Sequence, residues 1–143
     1  MSPAAKSSQT ILCPVRRRHV ALTPEEWVRQ QTIRMLHEGY GYPYELMQVE
    51  GAITLNSLTK RCDIVLYDCQ MRPFVIVECK KETVRLTQKV VDQASRYNLV
   101  LHVPYLFLTN GLQQICLAVD FDARSLVPVT LPSYDMAIKN KNI

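Results

Sequence analysis

The sequence predicts an α/β protein in which a mixed central sheet is flanked by helices, with the element order αβββαβ followed by a final strand. Three observations predict this class: a capped helical segment at residues 23–38, three strand-like segments between residues 46 and 80, and a second helical segment between two apolar strands at residues 74–109. A chain of 143 residues can bury one proper core, so a single domain needs no disulfide or metal to hold it together.

The first helix is predicted from its start and stop signals. Thr23 stands at the N-cap position, Pro24 at the first helical position and Glu26 three residues after the cap, which is the arrangement of a capping box. Gly39 follows the last apolar position and should end the helix.

Three strands should follow as an antiparallel meander. The first is predicted at residues 46–55 with a bend at Gly51, the second at residues 61–68 (RCDIVLYD) and the third at residues 73–80 (PFVIVECK). The second and third are apolar on both faces through their middle, as expected of central strands that are buried on both sides.

The remainder predicts a parallel crossover and a hairpin. Residues 83–99 carry apolar positions at helical spacing, and residues 104–110 (PYLFLTN) form a short apolar strand. A strand, a helix and a strand in this order should form a right-handed parallel unit. Asn110-Gly111 is a hairpin turn signal, and residues 113–120 should return as the final strand.

Composition narrows the class of protein. Hydrophobic content of 48% and charged content of 21% are typical of a globular chain. No apolar run approaches the ~20 residues that span a bilayer, and the N-terminus has no apolar signal segment, so no membrane association and a cytoplasmic location are expected. The five cysteines are odd in number and form no CxxC pair, so neither a disulfide framework nor a structural zinc site is expected.

The changes in composition along the chain suggest the domain limits. Residues 1–14 are predicted to be a flexible arm, residues 15–121 the folded domain, and residues 122–143 an irregular tail. The net charge of +4 tolerates a polyanionic partner without requiring one. The basic cluster Arg16, Arg17, Arg18 and His19 is either a phosphate contact or a solvated arm before the first helix.

The segment 61–80 predicts a specific strand pairing. If residues 69–72 form the loop, Tyr67 lies opposite Phe74 and Asp63 lies opposite Glu78. Side chains alternate between the faces of a strand, so both carboxylates should share one face.

Lys80 should lie on the same face as Asp63 and Glu78, because it follows Glu78 by two residues. Two carboxylates opposite each other repel, and when partly buried they need a cation between them. A divalent ion held by two carboxylates beside a lysine suits the hydrolysis of phosphodiesters. The alternative is an ion-pair cluster at the exposed end of a hairpin.

Several motifs, in this order, resemble one known family. They are PEEWVRQ in the first helix, GYPYELMQVE, RCDIVLYD, VIVECK, DQASRY and FLTNG. Together they resemble the PD-(D/E)XK nuclease superfamily and, within it, the N-terminal nuclease domain of type I restriction enzyme R subunits. The resemblance implies a restriction-endonuclease-like fold. The proline that gives the superfamily its name is replaced by Cys62.

The resemblance also implies roles for individual residues. Asp63 and Glu78 would hold Mg²⁺, or Mn²⁺ as a substitute, with the backbone carbonyl of Cys79 as a third ligand. Lys80 would be the catalytic lysine. Glu26 would complete the metal site through a bound water, a role that stands beside its predicted role in the capping box.

Further residues match the family outside the two central strands. Gln93 and Tyr97 match its QxxxY element, and lie four residues apart on one helix face near the active site, where they would assist catalysis and contact nucleic acid. The alternative is an ordinary polar helix face. Arg29 matches the E-x-x-R spacing after Glu26 and, with the basic cluster at Arg16–Arg18, is a predicted nucleic-acid contact.

These observations lead to two hypotheses from different classes. The first is a Mg²⁺-dependent endonuclease that hydrolyses DNA, although RNA is not excluded as a substrate. The second is a nucleic-acid-binding or assembly module with the same fold that cuts only with partners or not at all. A homodimer would be natural for so small a nuclease. No GxxxxGK[ST] loop is present, so this chain has no ATP-driven motor of its own.

Overall fold

The computed structural model of the protein describes residues 9–136. Two α-helices, one 3₁₀ turn at Tyr44–Leu46 and ten strands make up the described chain. The helices are α1 (Pro24–Glu38) and α2 (Gln88–Leu101), and the strands are β1 (Thr10–Cys13), β2 (Arg18–Ala21), β3 (Met47–Val49), β4 (Ala52–Leu55), β5 (Leu58–Arg61), β6 (Ile64–Tyr67), β7 (Pro73–Cys79), β8 (Tyr105–Thr109), β9 (Gln114–Asp120) and β10 (Ser125–Pro128).

A six-stranded mixed sheet forms the centre of the fold. Its strand order is β10-β9-β8-β7-β6-β3, and β7 and β8 are its parallel pair, so the predicted parallel crossover through α2 is confirmed. Helix α1 packs on one face through Val28, Ile33 and Leu36, and α2 covers the other face through Leu101. The mixed sheet flanked by helices is therefore confirmed.

Helix α1 begins and ends where its signals predict. The Thr23 hydroxyl accepts a hydrogen bond from the Glu26 amide at 3.1 Å, and Pro24 is the first helical residue. The Gly39 amide donates to the Met35 carbonyl and closes the last turn. The reciprocal half of the capping box is missing, because the Thr23 amide donates to Ala21 and the Glu26 carboxylate turns inward.

The predicted strand at residues 46–55 is wrong as a single element. Only β3 joins the central sheet, whereas β4 pairs with β5 in a separate two-stranded sheet. The chain leaves the central sheet at Glu50, whose φ of +58° breaks the extended backbone just before Gly51. The predicted meander is thus interrupted by a hairpin, β4–β5, before β6 pairs with β3.

The predicted pairing of β6 with β7 is half right. Val65 lies opposite Ile76, as the pattern requires, but a bulge after Leu66 brings Tyr67 opposite Pro73. The shift turns the Phe74 side chain to the α1 side of the sheet, where its ring lies 5.1 Å from that of Tyr105.

The C-terminal segment is more regular than the predicted tail at residues 122–143. Strand β10 extends the central sheet beside β9, and Leu131 is buried. The Tyr42 hydroxyl donates to the Pro132 carbonyl at 2.6 Å and ties this segment to the loop after α1. Residues 125–128 of the predicted irregular tail therefore form a strand, and residues 137–143 lie outside the described part.

The N-terminal segment also differs from the predicted flexible arm at residues 1–14. Strand β1 pairs with β2, and Cys13 is fully buried. Residues 1–8 lie outside the described part, and the domain limits stay predictions. In residues 9–136 no helix combines the length and apolar content required to cross a membrane.

Candidate active site

Strand β7 and the residue that follows it bring two of the predicted site residues into one cavity. Glu78 and Lys80 both line a cavity of about 130 Å³ between β7 and α2, and Leu108 of the neighbouring β8 forms part of its wall. Since the two residues are separated by one position, strand alternation places them on the same face. The prediction that Glu78 and Lys80 share a pocket is confirmed.

Helix α2 supplies the opposite wall. Thr87 caps the helix by accepting from the Val90 amide, and Gln93 and Tyr97 lie one turn apart on the face that lines the cavity. The structure thus brings both residues of the QxxxY element to Glu78 and Lys80, and their chemical roles stay predictions.

Glu78 is the carboxylate that lines this cavity, and it is almost fully buried. It is 8% exposed, and its buried Oε1 accepts no hydrogen bond from the described residues. Oε1 nevertheless lies 3.2 Å from the Lys60 ammonium, so the two form an ion pair. Burial raises the pKa of Glu78, the nearby Lys60 opposes this, the Asp63 carboxylate raises it further, and Lys80 lowers it.

The raised pKa makes ionised Glu78 a cost to stability. A carboxyl group whose pKa is higher in the folded state binds more protons there, so stability falls as pH rises from the ordinary carboxyl pKa of 4.5 through the folded pKa. We expect Glu78→Gln to raise the melting temperature at pH 8, because the substitution removes the buried negative charge. Differential scanning fluorimetry from pH 4 to 8 should show the gain shrinking towards acid.

The control for this measurement is Glu45→Gln, because Glu45 is an exposed carboxylate outside the cavity. The melting temperature of Glu45→Gln should equal that of the unmodified protein at every pH. If the melting temperature of Glu78→Gln at pH 8 equals or falls below that of the unmodified protein, ionised Glu78 does not destabilise the fold.

Asp63 lies beside Glu78 in register but faces a different environment. It precedes β6, whose first residue Ile64 pairs with Val77. Its Oδ2 accepts from the Cys79 amide at 2.8 Å, and its Oδ1 accepts from Arg29 of α1 at 2.9 Å. Asp63 does not line the cavity of Glu78, so the predicted single face holding all three residues is wrong for Asp63. The sheet alternation fails here because Asp63 lies in a bend rather than in the strand.

Glu26 is buried in an ion-pair network rather than placed at the cavity. Its carboxylate accepts hydrogen bonds from Arg16, from Arg29 at 2.6 Å and from Gln30 at 3.1 Å. Arg29 joins this carboxylate to Asp63. In residues 9–136 no group of three or more His, Cys, Asp and Glu side chains could hold a metal ion. The predicted ligand set of Glu26, Asp63 and Glu78 is therefore not assembled, because two guanidinium groups neutralise Glu26.

The same network occupies two of the predicted nucleic-acid contacts. The side chains of Arg16 and Arg29 are 13% and 11% exposed, and both also lie within 4 Å of Glu50. This placement does not fit the predicted phosphate contacts, since both guanidinium groups are used inside the protein. Arg17 and Arg18 are exposed, and their phosphate contacts stay predictions.

Lys60 is the residue of this site that sequence reasoning missed. It lies on β5, and its ammonium is 5.3 Å from the centre of the Tyr97 ring as well as beside Glu78. The sequence places it in a polar stretch, Asn56–Lys60, that is typical of a turn, and no local signal connects that stretch with β7 or α2.

Asp63 and Glu78 supply the type of donor atom that a divalent ion prefers. Oxygen atoms are the ligands that Mg²⁺ prefers, and it is commonly held by one or two carboxylates together with waters. Asp63 and Glu78 are neighbouring carboxylates, and Oε1 of Glu78 has an unused acceptor. Each carboxylate faces one protein cation, Arg29 or Lys60, so a metal ion would compete with a positive charge that is already there.

Comparisons with known proteins point to one group. A family model described as the type I restriction enzyme R protein N terminus matches residues 24–131. A solved fragment described as an HsdR subunit of a type I restriction enzyme from Vibrio vulnificus YJ016 superposes with a TM-score of 0.52 at 19% identity, covering 76% of this chain and 23% of that one. This likeness shows the fold alone, and the chain spans about a quarter of that relative's length. The search of curated proteins gives no match.

Proposed function

The chain belongs to the family of type I restriction enzyme R protein N termini, and from this premise we propose that it is a metal-dependent nuclease domain that hydrolyses phosphodiester bonds of DNA. One observation carries the proposal: Glu78 and Lys80 share a cavity with Gln93 and Tyr97, and a buried oxygen of Glu78 lacks a hydrogen bond. A buried carboxylate is costly unless a cation pairs with it, and Lys60 is the protein cation that does so here.

The proposed metal ligands are Asp63, Glu78 and the backbone carbonyl of Cys79, with Mg²⁺ as the ion and Mn²⁺ as its substitute. When bound, the ion would act as a Lewis acid on the phosphate and favour ionisation of the attacking water. Asp63 is held by the Cys79 amide and Arg29, so its carboxylate has a fixed orientation before an ion binds.

Lys80 would orient the attacking water and stabilise the charge that develops on the phosphate. Its amide donates to the Thr109 carbonyl, which fixes the backbone at the end of β7. Its side chain lines the cavity beside Glu78, so its ammonium is available to water or substrate. Gln93 and Tyr97 would contact the nucleic acid at the α2 wall.

A second function has a specific observation in its favour. Both site carboxylates already face cations of the protein, Arg29 and Lys60, which is the arrangement of a site that is neutral without metal. The chain would then be a nucleic-acid-binding or assembly module that cuts only with partners. The predicted homodimer has no support from the described residues or the comparisons.

Cleavage assays separate the two functions. We expect the protein to cut supercoiled plasmid with Mg²⁺ or Mn²⁺ and not with EDTA, and Glu78→Gln to lower the rate about 100-fold or more. Glu45→Gln, which alters an exposed carboxylate elsewhere, should cut normally. DNA binding without metal-dependent cutting would favour the second function, and cleavage of an RNA duplex in place of DNA would change the substrate class.

A further inference from the structure

The hairpin β4–β5 lies outside the central sheet and brings Lys60 to the cavity. Two backbone hydrogen bonds close its base, from Cys62 to Gly51 at 2.8 Å and from Glu50 to Asp63 at 2.9 Å. Ile53 packs beneath the hairpin against the α2-side core. Lys60 therefore stands on a peripheral element that joins the central fold immediately before Asp63.

The Lys60 ammonium occupies the side of Glu78 that faces the cavity. It lies 3.2 Å from Oε1 and 5.3 Å from the centre of the Tyr97 ring. Its hydrogen bond goes elsewhere, to the Arg61 carbonyl at 2.7 Å. The ammonium thus contributes charge to Glu78 without satisfying the hydrogen-bonding capacity of its oxygen.

The two protein cations of the site are held very differently. The Arg29 side chain is 11% exposed and is anchored by Glu26 and Glu50 as well as by Asp63. The Lys60 side chain is 24% exposed, and Glu78 is its one ion-pair partner among residues 9–136. A lysine is a flexible point charge with rotatable donors, whereas a guanidinium held at several points is fixed. Lys60 is therefore the protein cation that a metal ion could displace from the site.

We propose that Lys60 is the resident counter-ion of the cation site: its ammonium holds the position beside Glu78 that a divalent ion requires, and ion binding displaces it. This inference rests on the proposed metal site at Asp63 and Glu78. Lys60 is then a residue that sets how tightly the site binds its ion. Lys60 on the hairpin then neutralises the buried Glu78 carboxylate until a metal ion binds.

Replacing Lys60 by methionine removes the competing charge and keeps a side chain of similar length. We expect Lys60→Met to bind Mn²⁺ about tenfold more tightly than the unmodified protein, because the ion no longer displaces a unit charge close to Glu78. Lys60→Arg keeps the positive charge and presents a guanidinium that can pair with the carboxylate at two points, so it should bind Mn²⁺ no more tightly than the unmodified protein. Lys89→Met, which removes an exposed lysine on α2, is the matched control and should also leave the affinity unchanged.

Calorimetric titration of the full chain with Mn²⁺ at pH 8 and low ionic strength tests these expectations, with thermal melting of each variant to verify folding. If the unmodified protein binds Mn²⁺ and Lys60→Met binds it equally or more weakly, the counter-ion role is overturned while the metal site stands. If Lys60→Met binds Mn²⁺ and the unmodified protein does not, the counter-ion role is supported. If neither binds Mn²⁺, both the role and the metal site fail.

Discussion

Lys80→Ala is expected to lower metal-dependent DNA cleavage about 100- to 1000-fold, the loss that follows removal of one charge-stabilising donor from an active site. Lys80 lines the cavity beside Glu78 and forms no ion pair with residues 9–136. Its removal therefore breaks no internal contact that would unfold the domain. Single-turnover cleavage of a labelled duplex with Mn²⁺ measures the effect on the chemical step.

Lys81→Ala is the matched control for this experiment, because Lys81 is the exposed neighbour of Lys80 in the chain. It should cleave at the rate of the unmodified protein, and both variants should bind Mn²⁺ normally in calorimetry. Equal losses in the two variants would indicate a general charge effect on DNA binding. Loss of Mn²⁺ binding in Lys80→Ala would show that the lysine supports the metal site instead of the chemistry.

The central sheet could be predicted because its strands carry strong local patterns. Residues 64–67 and 73–79 are apolar on both faces, and Val65 opposite Ile76 follows from the length of the loop between them. The bulge after Leu66 leaves no such pattern, since it depends on how the turn at residues 68–72 closes on the Asp68 side chain. Register was therefore predictable near Asp63 and Glu78, and wrong at Phe74.

The hairpin β4–β5 shows what local pattern misses. Residues 46–55 read as one strand because the apolar alternation continues through Gly51. The break occurs at Glu50, which has a positive φ that glutamate rarely adopts. The Glu50 amide donates a hydrogen bond to the Asp63 backbone carbonyl across the base of the hairpin. This hydrogen bond joins residues that are distant in the sequence and helps to position Lys60. The residues next to Lys60 in the sequence give no sign of it.

The kinds of residue that form the site could be predicted from the sequence, but the ion pairs between them could not. Two acids and a lysine at the ends of paired strands indicate a cation site, and Glu78 and Lys80 do share a cavity. Basic residues near the N-terminus are typical of a solvated surface. Arg16 is instead buried against Glu26, because β1 and β2 bring it onto α1. Ion pairs between elements depend on tertiary packing, which sequence spacing does not encode.

The charge network at Glu26 gives the largest expected change in stability. Glu26 is 5% exposed and accepts hydrogen bonds from Arg16, Arg29 and Gln30. Removing one partner of a buried ion pair leaves an uncompensated charge, which costs about 3–5 kcal/mol. Because Arg29 keeps Asp63 as a partner, we expect Glu26→Gln to lower the free energy of unfolding by about 3 kcal/mol, near the lower end of that range. Urea unfolding followed by tryptophan fluorescence of Trp27 measures this change.

Glu25→Gln is the control, since Glu25 is the exposed neighbour in the same helical turn and should change the free energy of unfolding by less than about 0.5 kcal/mol. The comparison also decides between the two roles of Glu26. If Glu26 acts through Arg29 on the fold, the folded Glu26→Gln variant should bind Mn²⁺ with unchanged affinity. A variant with full stability and no Mn²⁺ binding would restore Glu26 to the metal site and refute the structural role that its buried ion pairs indicate.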